Sequence, residues 1–182
     1  SESPDGTPYI VMELIEGEDL QRRLERTGAV DSMQAIDSVS EILRCLMVIH
    51  EREEPIIHRD VKPSNFILSK RGLKMIDFGI AIEGTSTRYT KSLGQMGSKG
   101  YTPPENAGAK RPEPAVTMDV YGVGCVLYAY LKGEAPNPHV LKELEIELPH
   151  VAKEIRDVIT KATSYRPEER YSTAREMLEA LE

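Results

Sequence analysis

Two polar tracts, His58-Arg59-Asp60-Val61-Lys62-Pro63-Ser64-Asn65 and Asp77-Phe78-Gly79, flank two short apolar runs, Phe66-Ile67-Leu68 and Leu73-Lys74-Met75-Ile76. A turn containing Gly72 joins the runs, so the pattern predicts a small β-hairpin between the tracts. Around it the periodicity is helical. Met33, Ile36, Val39, Leu43, Leu46, Met47 and His50 recur at helical spacing and predict a long amphipathic helix leading into the first tract. On that face His50 reads as a satisfied core histidine rather than a ligand. Thr117 to Leu131 is apolar with no strong polar face, which predicts a buried helix, and Val151 to Thr163 predicts another. A capping box from Thr173 to Glu176 opens the last helix. The fold class expected from these elements is α+β and predominantly α-helical.

The order of the two tracts resembles the catalytic half of a protein kinase, with an HRD motif and its downstream Asn followed by DFG. The match runs from about Thr7 to about Leu178, nearly the whole chain. Phosphoryl transfer asks a protein mainly for positioning and charge neutralisation. By this resemblance Asp60 accepts the proton of the substrate hydroxyl, and Lys62 offsets charge on the transferred group. Asn65 and Asp77 hold Mg2+ against the phosphates of ATP, and a hard cation takes such oxygen ligands. Lys62 followed by Pro63 is the loop form of kinases acting on serine or threonine. The implied partner is therefore a protein substrate with a Ser or Thr hydroxyl.

Other segments extend the resemblance. Tyr9-Ile10-Val11-Met12-Glu13-Leu14-Ile15-Glu16-Gly17 looks like the last strand of the small lobe running into the hinge. There the backbone of Glu13 and Ile15 reads the adenine edge, Met12 is the gatekeeper, Asp19 is a ribose contact and Ile67 is the floor under adenine. Residues 77–105 read as an activation segment. Arg59 suggests phosphate regulation through a guanidinium pairing with a phosphorylated residue. Thr90 and Ser92 are the first candidates, with Thr85, Ser86 and Thr87 behind them. Ser98 is expected to bridge Asp60 and Lys62. In Tyr101-Thr102-Pro103-Pro104-Glu105, Pro103 stands where the family has Ala. Glu105 and Arg170 resemble the buried ion pair that ties the activation segment to the last helices. Asp119 resembles the acid that hydrogen-bonds back to the catalytic loop from the central helix, where Tyr121 replaces a more usual Trp.

The resemblance divides the chain into residues 1–17, a remnant of the small lobe with the hinge, and residues 18–182, the large lobe. A complete kinase begins with a glycine-rich strand-turn-strand, a strand Lys and a helix Glu, and these 182 residues do not include them. The chain reads as a piece of a longer kinase, expected to bind nucleotide weakly and to show little or no phosphotransfer by itself. Two further readings stand beside this one. One is a non-catalytic docking or pseudokinase-like module, and the other is a small-molecule phosphotransferase of related fold, against which the activation segment and Glu105 speak. An apolar face left by the missing lobe is expected to pair with a second copy or with a separate small lobe.

Composition narrows the setting. A net charge of −7 argues against nucleic acid as the main partner. No apolar run reaches membrane length and no targeting segment is visible. Cys45 and Cys125 both fall in apolar helical patterns, which suggests reduced thiols and a cytoplasmic location.

Overall fold

The computed structural model describes residues 11–77, 82–83, 100–107, 113, 115–137 and 140–182. Its centre is the helix α3, Val116–Lys132, whose residues from Met118 to Leu131 are all buried. The sequence makes this possible because no charge interrupts α3 between Asp119 and Lys132. A helix that is apolar all round is stable only when other elements cover every face. The long helix α2, Ser32–His50, packs along one side of α3, and α5, Lys153–Ala162, packs along another. The last helix, α6, Ala174–Glu179, closes against α2. Two glycines set the spacing on α3. A Cβ on Gly124 would come within 2.8 Å of Ala162 and Thr163 side chains, so α3 and α5 approach closely there. Gly133 ends α3 in the left-handed region at φ 90° and donates its N–H to Ala129.

A three-stranded antiparallel sheet sits beside this helical body in the order β1-β3-β4. Strand β3, Phe66–Ser69, and β4, Gly72–Met75, form the expected hairpin, with Ser69 paired to Gly72 and Phe66 to Met75. Ser69 Oγ accepts from the Arg71 N–H and donates to the Gly72 carbonyl, which closes the turn locally. Strand β1, Gly17–Asp19, lies on the other side of β3 with Asp19 opposite Ile67. A second, two-stranded pairing joins β2, Ile56–Ile57, to β5, Ile82–Glu83.

Several local expectations change. The strand predicted from Tyr9 to Gly17 is not a strand over residues 11–16, and Tyr9 and Ile10 lie outside the described residues. A strand is made by its partner, and β3 offers one only to Gly17–Asp19. Helix α1, Leu20–Thr27, follows directly; its signals were Asp19 as N-cap and the four-residue spacing of the buried Leu20 and Leu24. A short helix, α4, Leu144–Glu147, also had no strong sequence signal. Met33, expected on the buried face of α2, is 74% exposed, whereas Ala35 and Ile42 are fully buried. At the last helix, Thr173 Oγ1 accepts from the Glu176 N–H as a capping box requires. Glu176 reaches back one residue further than expected, to the N–H and hydroxyl of Ser172.

Candidate active site

The first polar tract leaves β2 and crosses the start of α3 before entering the hairpin. Its course is fixed by one carboxylate. Asp119, fully buried in the first turn of α3, accepts the His58 N–H at 2.8 Å and the Arg59 N–H at 2.7 Å. His50, from the end of α2, meets the same carboxylate through Nε2 at 2.8 Å. Because a carboxylate only accepts, Nε2 of His50 carries the proton. A polar group buried to this degree is costly unless it is hydrogen-bonded, and these donors meet that need. Arg59 sits at φ 67°, a left-handed conformation that a side chain with a Cβ rarely adopts. In that conformation its N–H reaches Asp119 Oδ1.

Two residues on, at Val61, the backbone comes to rest directly on α3. A Cβ at Gly122 would fall 2.7 Å from Val61 Cβ and 2.8 Å from its carbonyl oxygen. Only a glycine lets the loop approach this closely. His58, wholly buried, stacks its ring on Phe66 at a centroid separation of 6.4 Å, and its Nε2 lies 3.1 Å from the Ile76 carbonyl. The loop is therefore gripped from the helix side and from the hairpin side together.

Asp60, Lys62 and Asn65 are brought into mutual contact by this arrangement. Lys62 Nζ lies 2.6 Å from Asp60 Oδ2. Asn65 Nδ2 donates to the Asp60 carbonyl at 2.8 Å and to its Oδ2 at 3.2 Å. Both hydrogens of the amide are committed, so its oxygen is the end available to a cation. A single turn of 3-10 helix, Pro63–Asn65, sets this spacing, and the Asn65 N–H bonds back to the Lys62 carbonyl at 3.1 Å. The Asn65 carbonyl then accepts the Ile76 N–H at 2.9 Å, which starts Asp77 beside Asn65. Asp77 is, among the described residues, the second non-glycine in the left-handed region, at φ 61°. Strained conformations of this kind persist where the surroundings over-determine them, commonly at functional sites.

An amide oxygen and a carboxylate fit a hard divalent cation that keeps several of its ligands as water or phosphate oxygens. Among the described residues no cluster of three or more His, Cys, Asp or Glu side chains forms a metal cage. Asn65 and Asp77 are the residues of the two tracts that could offer such oxygens to a divalent cation.

The residues expected around adenine are spread out. Ile67 is half-buried on β3, opposite Asp19. Asp19 is engaged as the N-cap of α1, accepting the Arg22 N–H at 2.9 Å, and pairs with the Arg22 guanidinium at 3.2 Å. Met12 is 73% exposed, Glu13 is exposed and Ile15 half-buried, beside the hairpin turn at Ser69 to Arg71. Thr85, Ser86, Thr87, Thr90, Ser92 and Ser98, like Phe78 and Gly79, lie outside the described residues.

Behind the site, Arg170 and Glu105 form a bidentate pair with both N···O distances at 2.7 Å. The guanidinium face stacks on the Tyr121 ring at 4.9 Å, so the residue that replaces Trp still supplies an aromatic surface. Cys125 beneath it is buried, and burial pushes its thiol well above the ordinary value. Cys45 is half-buried and raised for the same reason, and neither forms a disulfide.

A family model described as the protein kinase domain matches residues 3–181. The chain belongs to the protein kinase family. It is 35% identical to the serine/threonine-protein kinase PknB of Mycolicibacterium smegmatis, over 97% of the chain and 30% of that protein. It is 34% identical to the serine/threonine-protein kinase PknA of a Nostoc species, over 96% of the chain and 32% of the relative. The serine/threonine-protein kinase PrkC of Bacillus subtilis is 32% identical over 95% of the chain and 28% of its own length. The chain thus spans about a third of the length of these relatives. Its helix-rich α+β body is that of a kinase lobe, and among the described residues no helix is long and apolar enough to cross a membrane.

Proposed function

We propose that this chain is the large catalytic lobe of an ATP- and Mg2+-dependent serine/threonine protein kinase, transferring the γ-phosphate of ATP to a Ser or Thr hydroxyl of a protein. The observation that carries the reading is the contact of Asp60 with both Lys62 and Asn65 on a loop clamped by Asp119. Asp60 is nine-tenths buried with one oxygen held by Lys62 and Asn65. It orients the substrate hydroxyl and receives its proton as the oxygen attacks. Lys62, already at the carboxylate, offsets the negative charge of the phosphoryl group passing between nucleotide and hydroxyl. Asn65 and Asp77 would hold Mg2+, and the ion would supply positive charge against the phosphates of the nucleotide. Pairing of Asp60 with Lys62 also keeps the loop in one arrangement between turnovers.

Ser or Thr specificity follows from the similarity to serine/threonine-protein kinases and from the Lys62-Pro63 pair. By themselves these 182 residues are proposed to transfer little or no phosphate, because Met12 and Glu13 stand exposed where adenine is expected. A small lobe or second copy covering that face would complete the pocket, and the setting proposed is the cytoplasm.

Calorimetric titration of the chain with ATP and Mg2+ tests the nucleotide site. Binding that disappears in Asp77→Ala supports the reading, and binding that the substitution leaves intact removes Asp77 as a metal ligand. Mg2+-dependent phosphotransfer by the chain alone, abolished in Asp60→Asn, would overturn the proposal that it is inactive by itself.

A further inference from the structure

Helices α1 and α2 and the β3-β4 hairpin leave a cavity of about 180 Å³ where they meet. Its apolar floor is Leu20 of α1 with Leu68 and Leu73, which face each other across the hairpin. Leu68 and Ile67 are consecutive in a strand, so this cavity lies on the side of the hairpin opposite Ile67. Charged groups of both signs line it, Arg23 from α1 and Asp37 and Glu41 from α2. The other arginines of α1 are engaged, Arg22 with Asp19 and Arg26 with Glu18. Arg23, Asp37 and Glu41 have no hydrogen-bond or ion-pair partner for their side chains. Arg23 is nevertheless half-buried, and burying a charge is costly unless it is paired. Asp37 and Glu41 stand four residues apart on one helix, where like charges repel. The Ser38 hydroxyl at the rim is taken up by the Gln34 carbonyl and answers none of them.

We propose that this cavity binds a small zwitterion with an aliphatic body, an α-amino acid of about the size of leucine. The guanidinium of Arg23 takes the carboxylate, for which its planar fork is suited. Asp37 and Glu41 take the ammonium group, and the aliphatic side chain covers Leu68 and Leu73. Volume sets the size class, since pockets for drug-sized ligands run to roughly 300–1,000 Å³. Charge sets the rest. An anion alone would meet two carboxylates, and a cation alone would leave Arg23 without a counter-ion, whereas a zwitterion answers both. Lys74 does not neutralise the acids from within, because it pairs across the hairpin with Ile67 and so stands on the other side from Leu73. None of Asp60, Lys62, Asn65 and Asp77 lines the cavity, so the ligand binds without displacing nucleotide.

The test is a residue-resolved NMR titration of the full chain with three probes: L-leucine, isopentylamine, which lacks the carboxylate, and 4-methylpentanoate, which lacks the ammonium group. Leucine should give saturable shifts at the amides of Arg23, Asp37, Glu41 and Leu68, with Ile159 and Ala162 in α5 unmoved. Each of the other two probes should bind at least about threefold more weakly, the scale of a single exposed ion pair. Arg23→Gln should weaken leucine by at least about the same factor and leave isopentylamine unchanged, which a merely structural arginine would not do. The double variant Asp37→Asn, Glu41→Gln should weaken leucine and isopentylamine together. No saturable shift with leucine would overturn the proposal. So would shifts that extend to α5, or isopentylamine or 4-methylpentanoate binding as tightly as leucine, since each removes the zwitterion. Parent-like leucine affinity in Arg23→Gln would do the same. If Arg23→Gln failed to fold, the comparison of the three probes on the parent chain would decide the question by itself.

Discussion

Arg170 and Glu105, far apart in sequence, lock together through both guanidinium nitrogens at 2.7 Å, and every other N–H of Arg170 ends on a backbone carbonyl. Nε donates to Ser164, one terminal nitrogen to Thr117 and the other to Tyr165. This joins the segment after residue 100, the start of α3 and the loop before α6 in one place. Removing a partner from a buried pair leaves an uncompensated charge. Arg170→Ala should therefore lower stability by about 3–5 kcal/mol, read as a fall in the urea midpoint. Arg170→Lys keeps the charge but not the fork and should recover only part of the loss.

Gly122 gives a steric prediction. Its missing Cβ is what lets Val61 rest on α3, and the added methyl of Gly122→Ala would sit 2.7 Å from Val61 Cβ. Overpacking of this kind costs roughly 1–3 kcal/mol. The gain of alanine over glycine in a helix, about 1 kcal/mol, works in the opposite direction. Thermal denaturation should show a net loss, and the His58 to Val61 backbone resonances should shift more than those of α5.

Asp60 and Asp77 should separate chemistry from binding. Asp60→Asn retains a side chain able to bond with its neighbours but unable to take a proton at pH 7. Its Mg2+-dependent ATP affinity should stay within about threefold of the parent, since about 0.65 kcal/mol corresponds to that factor. Asp77→Ala should lose the Mg2+ dependence of binding altogether. Calorimetry with and without Mg2+ distinguishes the two variants.

Acid should weaken the C-terminal end first. The Glu176 carboxyl accepts from Lys161 Nζ at 2.8 Å and from the Ser172 N–H and hydroxyl, which hold it down from 4.5 to about 2. The folded state thus binds this proton less readily than the unfolded chain. Its contribution is present above pH 4.5 and is lost as the pH falls toward about 2. Solvent reaches 40% of the side chain, so screening leaves about 1 kcal/mol. Glu176→Gln should flatten the stability profile over that window, as measured by denaturant titration.

How much of this was legible varies with the kind of interaction. The β3-β4 hairpin, α2 and α3 were readable because their signals are local, in turn chemistry and in the period of apolar residues. Glu105 and Arg170 were found through their motif surroundings. Helical period could place His50 on an inward face but could not name Asp119, which lies 69 residues away. Nor does any propensity announce that Arg59 and Asp77 take positive φ, since tertiary contacts impose it on residues that would otherwise avoid it. The hinge strand was misplaced because its apolar run carries strand character while the pairing edge of β3 serves only Gly17–Asp19. Met33 fits the stripe of α2 and still faces solvent, in a first turn that no described element covers.

The reach of the Asp119 clasp also decides when during folding the site can exist. His58 and Arg59 are bonded to a residue 61 and 60 positions further along the chain. Long-range closures of this sort form late, after the chain entropy of the intervening loop has been overcome. A nascent chain that had emerged only as far as Ala115 would already contain Asp60, Lys62, Asn65 and Asp77. It would have the four side chains of the proposed site without the Asp119 clasp, so the geometry of the loop arrives with the docking of α3 rather than with the synthesis of the loop itself.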